Sequence, residues 1–286
     1  MTSTSAGSRF RQLLDGPELI VAPGAHDGIT ARLIEQAGFP LVYMTGAGTA
    51  AARGFPDYGL LSMSEMVDTA TVIARSTSLP VLADADTGYG NELNVTRTVQ
   101  EFEARGVAGI HLEDQVSPKR CGHLDGKDVV DRDRYLSCIR AAVAARQTAD
   151  FVIVARTDAV AVHGLDEAID RANAALDAGA DAAFVEALTT MDDVVAVPKR
   201  VHGPCLLNVI PGGKTPLTDL AVAADLGYKI AICPGLLLGT AVLVGDMVLK
   251  ELAETRRHPS GGGGGVGDLF RRFGAEEWDR IRAEFA

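Results

Sequence analysis

Short apolar runs alternate with longer amphipathic segments along most of the chain. The runs end at polar or glycine residues and have the length of buried strands, whereas the segments between them repeat apolar residues at helical spacing. Strands are predicted at residues 18–25, 41–44, 81–83, 109–112, 151–155, 182–185, 205–207 and 229–233. Helices are predicted at residues 29–37, 62–74, 93–105, 132–146, 165–178, 191–200, 217–226 and 236–252.

This succession of eight strand–helix units indicates one parallel sheet. The simplest closed form of such a sheet is a (β/α)8 TIM barrel, an α/β fold. An open doubly wound sheet is the alternative. A G-x-G-x-x-G fingerprint after the first strand would favour the open sheet, and none is present there. We therefore expect the barrel.

The C-terminal residues have a different composition. We expect residues 1–256 to form the barrel domain, residues 257–267 a glycine-rich linker and residues 268–286 a C-terminal helix. This helix would carry the apolar residues Leu269, Phe270, Phe273, Trp278 and Ile281. No Gly-Lys-Ser/Thr follows the glycine run, so a phosphate-binding loop is not indicated. A tethered apolar helix is expected to pack on the barrel or on a neighbouring subunit.

Composition narrows the classes of partner and compartment. Hydrophobic residues make up 47% of the chain and aromatic residues only 5%, which fits an aliphatic core around buried parallel strands. The formal net charge of −11 argues against a nucleic acid or an anionic membrane as partner. Four widely spaced cysteines without a C-x-x-C pair, and an N-terminus without an apolar signal region, predict free thiols in the cytoplasm.

Polar residues follow one predicted strand after another, directly after its apolar run. They are Thr45, Asp84, Asp86, Glu113, Arg156, Glu186 and Asn208. In a barrel, the carboxyl ends of all strands meet at one face, which is where the active sites of such enzymes lie. Strand ends that merely face solvent would explain some of these residues. They do not explain several carboxylates, an arginine and an amide from neighbouring strands, so we predict an active site.

The acidic residues of this set suggest a metal. Asp84, Asp86 and Glu113 offer hard oxygen ligands, and no histidine pair has zinc spacing, so Mg²⁺ or Mn²⁺ is expected. Asp57 in GFPDYG is a further candidate metal partner. The alternative is that the carboxylates form ion pairs with Arg156.

A substrate carboxylate has its own predicted binding groups. Arg156 can hold a carboxylate through two parallel hydrogen bonds. The turn TGAG after the second strand, which includes Thr45, Gly46 and Ala47, offers backbone N–H groups to the same ligand.

The segment after the fourth predicted strand carries a thiol in a polar setting. Cys121 is flanked by Lys119, Arg120 and His123, and such neighbours favour the thiolate form of a cysteine. Loops that follow buried strands often carry the chemistry of an enzyme. We expect a mobile catalytic loop, the alternative being a surface thiol. His111 lies inside the strand and is expected to be a core residue.

Seven segments together resemble the isocitrate lyase/phosphoenolpyruvate mutase superfamily. They are PGAHDGITARL (23–33), YMTGAG (43–48), ADADTGYGN (83–91), HLEDQVSPKRCGH (111–123), ARTDA (155–159), FVEA (184–187) and NVIPGGKTP (208–216). The resemblance covers most of the chain, in order and at the family's spacing. It implies a (β/α)8 barrel, Mg²⁺, a loop that closes over the substrate, and a homotetramer (a dimer of dimers) whose protomers exchange C-terminal helices.

The resemblance also implies a reaction. In the lyases of the superfamily the cysteine of KRCGH is the general acid, which corresponds to Cys121 here. Mg²⁺ and Arg156 would hold a 2-hydroxy or 2-oxo acid, Tyr43 would assist loss of the hydroxyl proton, and the adjacent C–C bond would break. The products would be a 2-oxo acid and a carboxylate. The residues implied are catalytic Cys121, His123, Tyr43, Arg156 and Glu186, with Gly122, His123 and Asn208 on the substrate.

Two departures from the superfamily's pattern bear on the substrate. Pro211 stands where relatives of this branch carry Glu, which removes a polar contact from the expected pocket floor. Methylisocitrate lyases have an arginine after the eighth strand, and PGLLLGT (234–240) has no cation. A tricarboxylate is therefore disfavoured, because its third charge would lose water without gaining a partner. A dicarboxylate with an apolar substituent, such as an alkylated malate, fits better.

The same loop and metal site permit other functions. Carboxyphosphonoenolpyruvate phosphonomutase and oxaloacetate decarboxylase are alternatives that use the same enolate chemistry. A barrel that has lost catalysis and serves as a binding module is a third. A poised thiol acid has a clear task in C–C bond cleavage, which favours the lyase. The retained acidic cluster together with Cys121 argues against the binding module.

Overall fold

The computed structural model describes residues 5–217, 219–259 and 265–286, and its eight parallel strands form a closed barrel. The strands are β1 (Ile20–Ala25), β2 (Val42–Met44), β3 (Val81–Asp84), β4 (Gly109–Glu113), β5 (Val152–Thr157), β6 (Ala182–Val185), β7 (Cys205–Asn208) and β8 (Ile230–Cys233). They pair in sequence order, and β8 returns to β1 with Ile230 opposite Ile20. The TIM-barrel prediction is confirmed.

Helices alternate with these strands. They are α1 (Ala6–Asp15), α2 (Gly28–Gln36), α3 (Gly46–Ala52), α4 (Met63–Ser76), α5 (Glu92–Ala104), α6 (Arg132–Ala145), α7 (Val160–His163), α8 (Leu165–Asp177), α9 (Met191–Arg200), α10 (Leu220–Asp225), α11 (Leu236–Thr255), α12 (Val266–Arg272) and α13 (Ala275–Glu284). Side-chain caps define several starts. Before α4, the Ser62 hydroxyl accepts from the Glu65 N–H and the Glu65 carboxylate accepts from the Ser62 N–H, a capping box.

Apolar side chains fill both faces of the sheet. Inside the barrel, Leu82, Val154, Phe184 and Ile232 are almost completely buried in one cluster with Phe10 of α1. Between the sheet and the helices, larger clusters of aliphatic side chains join the two layers. With these layers apolar, the polar strand residues are concentrated at the carboxyl ends of the strands.

Three helices were not predicted from the sequence. The polar start of the chain forms α1, which Ser5 caps by accepting from the Ser8 N–H. The turn after β2 continues as α3, and α7 follows β5. The predicted single helix at residues 268–286 is instead two helices, α12 and α13, separated at Gly274, whose φ of 85° does not continue a right-handed helix.

The chain forms two compact units, one ending at Leu238 and the other beginning at Gly239. The second unit contains most of α11 together with α12 and α13, and none of these helices contains a buried residue. Much of the predicted linker, residues 260–264, lies outside the described part of the chain. The domain limits at residues 256 and 267 stay a prediction. None of the helices within the described ranges has the length and hydropathy of a membrane-spanning segment.

A side chain at Gly24 is predicted to destabilise the barrel where β1 meets β8. A Cβ there would lie 2.4 Å from the carbonyl oxygen of Pro234 and 2.6 Å from its Cα. We expect Gly24→Ala to lower the free energy of unfolding by about 1–3 kcal/mol, measured by urea denaturation. Gly16→Ala is the control, because its nearest neighbours would be 3.5 Å away. Equal stability of the two variants would contradict this packing.

Candidate active site

The polar residues at the carboxyl ends of the strands meet around one cavity of about 40 Å³. It is lined by Tyr43, Thr45, Ala47, Asp57, Asp84, Cys121, Gly122, His123, Arg156, Glu186, Asn208, Ile210 and Pro234. All of these except Ile210 and Pro234 were singled out from the sequence, and their individual roles stay predictions. Gly46, Asp86 and Glu113 were also singled out and lie beside the cavity rather than in its lining.

Residues 115–129 form a loop that contributes part of this lining. A bridge between Gln115 and Val129 closes its base. The Gln115 side chain accepts from the Arg120 N–H at 2.9 Å and donates to the Arg120 carbonyl oxygen at 2.8 Å. The Cys121 N–H donates to the Asp57 carbonyl oxygen at 3.1 Å. These contacts hold the loop closed, with Cys121 and Gly122 on the cavity wall.

Lys119 lies in the carboxylate cluster. Its Nζ is 2.5 Å from Oδ1 of Asp57 and 2.8 Å from Oδ1 of Asp86, and its side chain is 3% exposed. Asp86 has a φ of 47°, in the left-handed region that aspartate adopts more readily than most residues. Sequence reasoning placed Lys119 as a neighbour of the thiol and missed its ion pairs, because the direction of a loop side chain depends on how the loop folds.

The charges of the cluster shift the pKa of Asp84 downward. Burial opposes its ionisation, but the positive charges of His111, Lys119 and Arg156 outweigh burial and lower the pKa of Asp84 to about 2. Burial lowers the pKa of His111 to about 4, so this imidazole is neutral near pH 7. Lys119 and Arg156 are therefore the cations that keep Asp84 ionised.

The pKa values of the two other acids of the cluster, Asp86 and Glu113, shift upward. Burial, together with the charge of Asp84, raises the pKa of Asp86 to about 6, although Lys119 opposes this. Burial raises the pKa of Glu113 well above its usual range, although Arg156 lies 3.0 Å from its Oε2. The positive charge of the two cations is too small to keep both acids fully ionised.

The donors of this cluster fit a hard divalent cation. Within the described residues, no three acidic, imidazole or thiol groups are already gathered as a ligand set. Oε1 of Glu113 is nevertheless buried without a hydrogen-bond donor, while Oδ1 of Asp86 and Oε2 of Glu113 have only the ion-pair contacts with Lys119 and Arg156. Carboxylate oxygens are the ligands that Mg²⁺ and Mn²⁺ prefer, and a cation would offset the surplus negative charge.

The surroundings of Cys121 correct the prediction of a thiolate. Burial raises the pKa of its thiol above the usual value, and the charges of Asp57 and Glu186 add to this. The two flanking cations point elsewhere: Lys119 pairs with the carboxylates, and the exposed Arg120 guanidinium lies 5.6 Å above the ring of Tyr58. Cys121 is therefore protonated at neutral pH, the state required of a proton donor.

Arg156 is fixed by acidic groups on two sides. Its Nε donates to Oδ2 of Asp158 at 2.9 Å and its Nη2 to Oδ1 at 3.2 Å, while Nη1 lies 3.0 Å from Glu113. The guanidinium also lies 5.2 Å from the ring centre of Phe184. Asp158 was not predicted as a site residue, although the segment ARTDA places it two residues after Arg156.

Glu186, Asn208 and His123 form a polar corner of the cavity. The Lys214 N–H donates to Nδ1 of His123 at 2.9 Å, so the proton of a neutral ring is on Nε2, which lies 3.0 Å from Oε1 of Glu186. Nδ2 of Asn208 donates to the same carboxylate at 3.2 Å. Oδ1 of Asn208 is buried without a donor and can accept a hydrogen bond from a ligand.

Tyr43 and His111 lie side by side below the cavity. The Tyr43 hydroxyl is 2.9 Å from Nε2 of His111, and the two rings stack. Burial raises the pKa of Tyr43 well above its usual range, so its phenol stays protonated near neutral pH. His111 is a core residue, as predicted, but its contact with Tyr43 links it to the cavity.

The turn after β2 brings the backbone close to Asp84. Thr45 caps α3 by accepting from the Gly48 N–H at 3.3 Å. A Cβ on Gly46 would lie 2.3 Å from Oδ2 of Asp84. Glycine is therefore required at position 46 for the turn to approach the carboxylate cluster.

The apolar wall of the cavity differs from the predicted one. Ile210 and Pro234 line it, whereas Pro211 is exposed. Among the residues that the structure describes, Arg156 is the only Lys or Arg side chain in the lining. The exposed Pro211 is not part of the lining, where Ile210 lies instead.

Comparison with known proteins identifies the family. The sequence profile described as phosphoenolpyruvate phosphomutase matches residues 10–253. The chain belongs to this family. The 2,3-dimethylmalate lyase of Eubacterium barkeri is 46% identical over 80% of each chain. A probable 2-methylisocitrate lyase of Corynebacterium glutamicum is also 46% identical, over 88% of this chain and 82% of its own.

Solved structures of the phosphoenolpyruvate mutase/isocitrate lyase superfamily have the same fold. A 2,3-dimethylmalate lyase superposes with a TM-score of 0.94 at 42% identity, over 99% of this chain and 96% of its own. An oxaloacetate acetylhydrolase bound to the inhibitor 3,3-difluorooxalacetate superposes with a TM-score of 0.95 at 39% identity, over 98% and 97%. The superfamily resemblance read from the sequence is confirmed.

The protonation state of Cys121 can be measured by its alkylation with iodoacetamide. Because only a thiolate reacts and burial raises the pKa of this thiol above its usual value, we expect the midpoint of its alkylation rate to lie at higher pH than that of a cysteine in an unfolded peptide. Mass spectrometry of tryptic peptides would separate Cys121 from the other cysteines. A midpoint near pH 7 would contradict the proton-donor state and restore the thiolate prediction.

Proposed function

We propose that this carbon–carbon lyase cleaves a 2-hydroxy dicarboxylate, an alkylated malate, into a 2-oxo acid and a carboxylate. The observation that carries the proposal is the position of Cys121. A thiol with a raised pKa lies on the wall of the same closed cavity as Arg156 and Asp84. A protonated thiol facing an anion-binding site suits the delivery of a proton to a carbanion.

Substrate binding would use both ends of the cavity. Arg156 would hold one carboxylate through the N–H donors of Nη1 and Nη2 that Asp158 and Glu113 do not use. The turn that includes Thr45, Gly46 and Ala47 would receive the 2-hydroxy acid end, and Oδ1 of Asn208 would accept from a substrate hydroxyl or a water. The rigid ion pairs of Arg156 with Asp158 and Glu113 keep its orientation fixed while substrate enters.

Mg²⁺, or Mn²⁺, is the proposed cofactor. Asp84, Asp86 and Glu113 would hold it, with Asp57 as a further partner. When bound, such an ion stabilises negative charge on the oxygens of a 2-oxo acid and its enolate. The raised pKa values of Asp86 and Glu113 support the assignment, since two acids that resist ionisation are those that gain most from a nearby divalent cation.

Cleavage would begin at the hydroxyl of the substrate. The hydroxyl proton leaves, its oxygen becomes the carbonyl oxygen of the 2-oxo acid, and the electron pair of the broken C–C bond stays on the carbon next to the other carboxylate. The Tyr43 hydroxyl is placed to pass a proton to Nε2 of His111, 2.9 Å away. Since burial keeps the phenol protonated, the two groups would act as a relay rather than Tyr43 as a phenolate base.

Protonation of the carbanion would complete the reaction. Cys121 donates its proton to the carbanion carbon, which forms the second product as a carboxylate. His123 cannot supply this proton from Nδ1, which accepts from the Lys214 N–H. We propose instead that His123 and Glu186 hold the departing carboxylate and shield the carbanion from water.

The cavity limits the substrate. Arg156 is its only Lys or Arg side chain, so a third carboxylate would be buried without a partner. Ile210 and Pro234 offer an apolar wall to an alkyl substituent. A second candidate substrate is oxaloacetate, cleaved by hydrolysis or decarboxylation. The similarity to oxaloacetate acetylhydrolase supports this candidate.

We also propose a cytoplasmic homotetramer, a dimer of dimers, in which partners exchange C-terminal helices. The second unit supports this, because its helices expose large apolar side chains: Leu243, Met247, Leu249, Val266, Phe270 and Trp278. Exposed apolar surface of this kind is typical of a subunit interface.

Replacement of Cys121 tests the proposed reaction. Purified protein with Mg²⁺ would be screened against malate, alkylated malates, oxaloacetate and phosphonopyruvate, with release of a 2-oxo acid, or of oxalate from oxaloacetate, as the signal. We expect Cys121→Ser to lower kcat for the alkylmalate by about 10²–10⁴-fold, because a hydroxyl is a weaker acid than a thiol. Substrate affinity, measured by calorimetry, should change little.

Cys138→Ser is the control, because Cys138 lies in α6 outside the cavity lining. Full lyase activity in Cys121→Ser would exclude the thiol as general acid. Decarboxylation of oxaloacetate that is unaffected by Cys121→Ser, with no cleavage of malates, would favour the second candidate.

Removal of one carboxylate tests the metal site. We expect Asp84→Asn to weaken Mg²⁺ binding, measured by calorimetry, by at least about tenfold, because a charged oxygen ligand becomes a neutral one. Asp125→Asn removes an exposed carboxylate and should leave the affinity unchanged. Equal affinity in wild type and Asp84→Asn would place the ion elsewhere.

A further inference from the structure

Lys127 is a buried cation that the proposed reaction does not use. Its side chain is 1% exposed, and its Nζ lies 3.1 Å from Oδ1 of Asp158. The same Nζ donates to the carbonyl oxygen of Gly122, between Cys121 and His123. One ammonium group therefore connects the C-terminal end of the loop to its catalytic tip.

Asp158 connects Lys127 to the guanidinium of the cavity. Its Oδ1 accepts from Lys127, and both of its oxygens accept from Arg156. Asp158 is itself held by Asp114, whose Oδ1 accepts from the Asp158 N–H at 2.8 Å. Asp114 forms a buried ion pair with Arg171 at 3.1 Å. The carboxylate that Lys127 contacts is therefore fixed to the barrel.

The tip of the loop has little freedom in this position. A Cβ on Gly122 would lie 2.5 Å from Cγ of Glu186 and 2.7 Å from Nη2 of Arg156. The main chain at Gly122 thus lies directly against the cavity groups, and only its carbonyl oxygen is held by a charged donor. A shift of this peptide would move the neighbouring thiol.

We propose that Lys127 is the positioning residue that holds the Cys121 thiol in place, by tying the Gly122 carbonyl oxygen to the Asp158–Arg156 ion pair when the loop is closed. On the N-terminal side of Cys121 the loop is held by the ion pairs of Lys119 with Asp57 and Asp86 and by the uncharged contacts of Gln115. On the C-terminal side, the Asp125–Lys214 ion pair is exposed, whereas the buried ammonium of Lys127 contacts the main chain next to Cys121. Without Lys127 the loop still closes, but less often and with the thiol less well aligned.

Two measurements on Lys127→Met test this role. The first is the rate of trypsin cleavage after Arg120. The Arg120 side chain is exposed, but the Gln115 side chain holds both its backbone N–H and its carbonyl oxygen, so cleavage requires the loop to open. We expect cleavage about tenfold faster than in wild type, with weaker protection by oxalate and Mg²⁺. The second is turnover of the best dicarboxylate, where kcat should fall about 10²-fold and KM should change less.

Lys127→Gln is measured in parallel, so that poor folding of one variant does not remove the test, and thermal unfolding confirms that each variant is folded. Asp125→Asn is the matched control, because it removes an exposed ion pair with Lys214 on the same loop, and it should match wild type in both assays. The measurement of kcat and KM rests on the proposed function, whereas the measurement of trypsin cleavage does not require turnover. Wild-type cleavage rates in folded Lys127 variants would overturn the proposal whatever the reaction proves to be.

Discussion

Negative charge crowded at the carboxyl ends of the strands constrains the rest of this structure. The carboxylates are Asp57, Asp84, Asp86, Glu113, Asp158 and Glu186, and the lysine and arginine side chains paired with them are Lys119, Lys127 and Arg156. Buried charges are stable only when they are paired, so every cation in this region has a carboxylate partner. Burial, together with the surplus negative charge, raises the pKa of Asp86 and Glu113, and it is there that we propose a divalent cation.

The same constraint connects the loop to the chemistry. Lys119 and Lys127 are loop residues, so the loop in its observed position supplies two of the cations that contact the cluster. In this position the loop partly neutralises the carboxylates and buries Cys121, and burial raises the pKa of its thiol. A loop that was read as activating a thiolate instead keeps a thiol protonated, as a proton donor to a carbanion requires.

The sequence alone predicted the features that depend on residues close together in the chain. Short apolar runs marked all eight strands, and polar residues after those runs marked the cavity, because strand ends in a barrel converge whatever the details of packing. Contacts distant in sequence were not recoverable. Lys119 lies next to Cys121 in sequence but pairs with Asp57 and Asp86, and Ile210 rather than its neighbour Pro211 faces the cavity. The helix α1 was missed although Ala6, Phe10, Leu13 and Leu14 repeat at helical spacing and pack in the cluster inside the barrel, so a signal for it was present in the sequence.

Cleavage of 2,3-dimethylmalate in D₂O, followed by NMR of the released carboxylate after esterification with a chiral alcohol, would show where the carbanion receives its proton. If Cys121 delivers it inside the closed cavity, the product carries one deuterium at the carbon next to its carboxylate, in a single configuration. A product with deuterium in both configurations would mean that the carbanion is protonated by solvent, and would contradict the role assigned to the thiol.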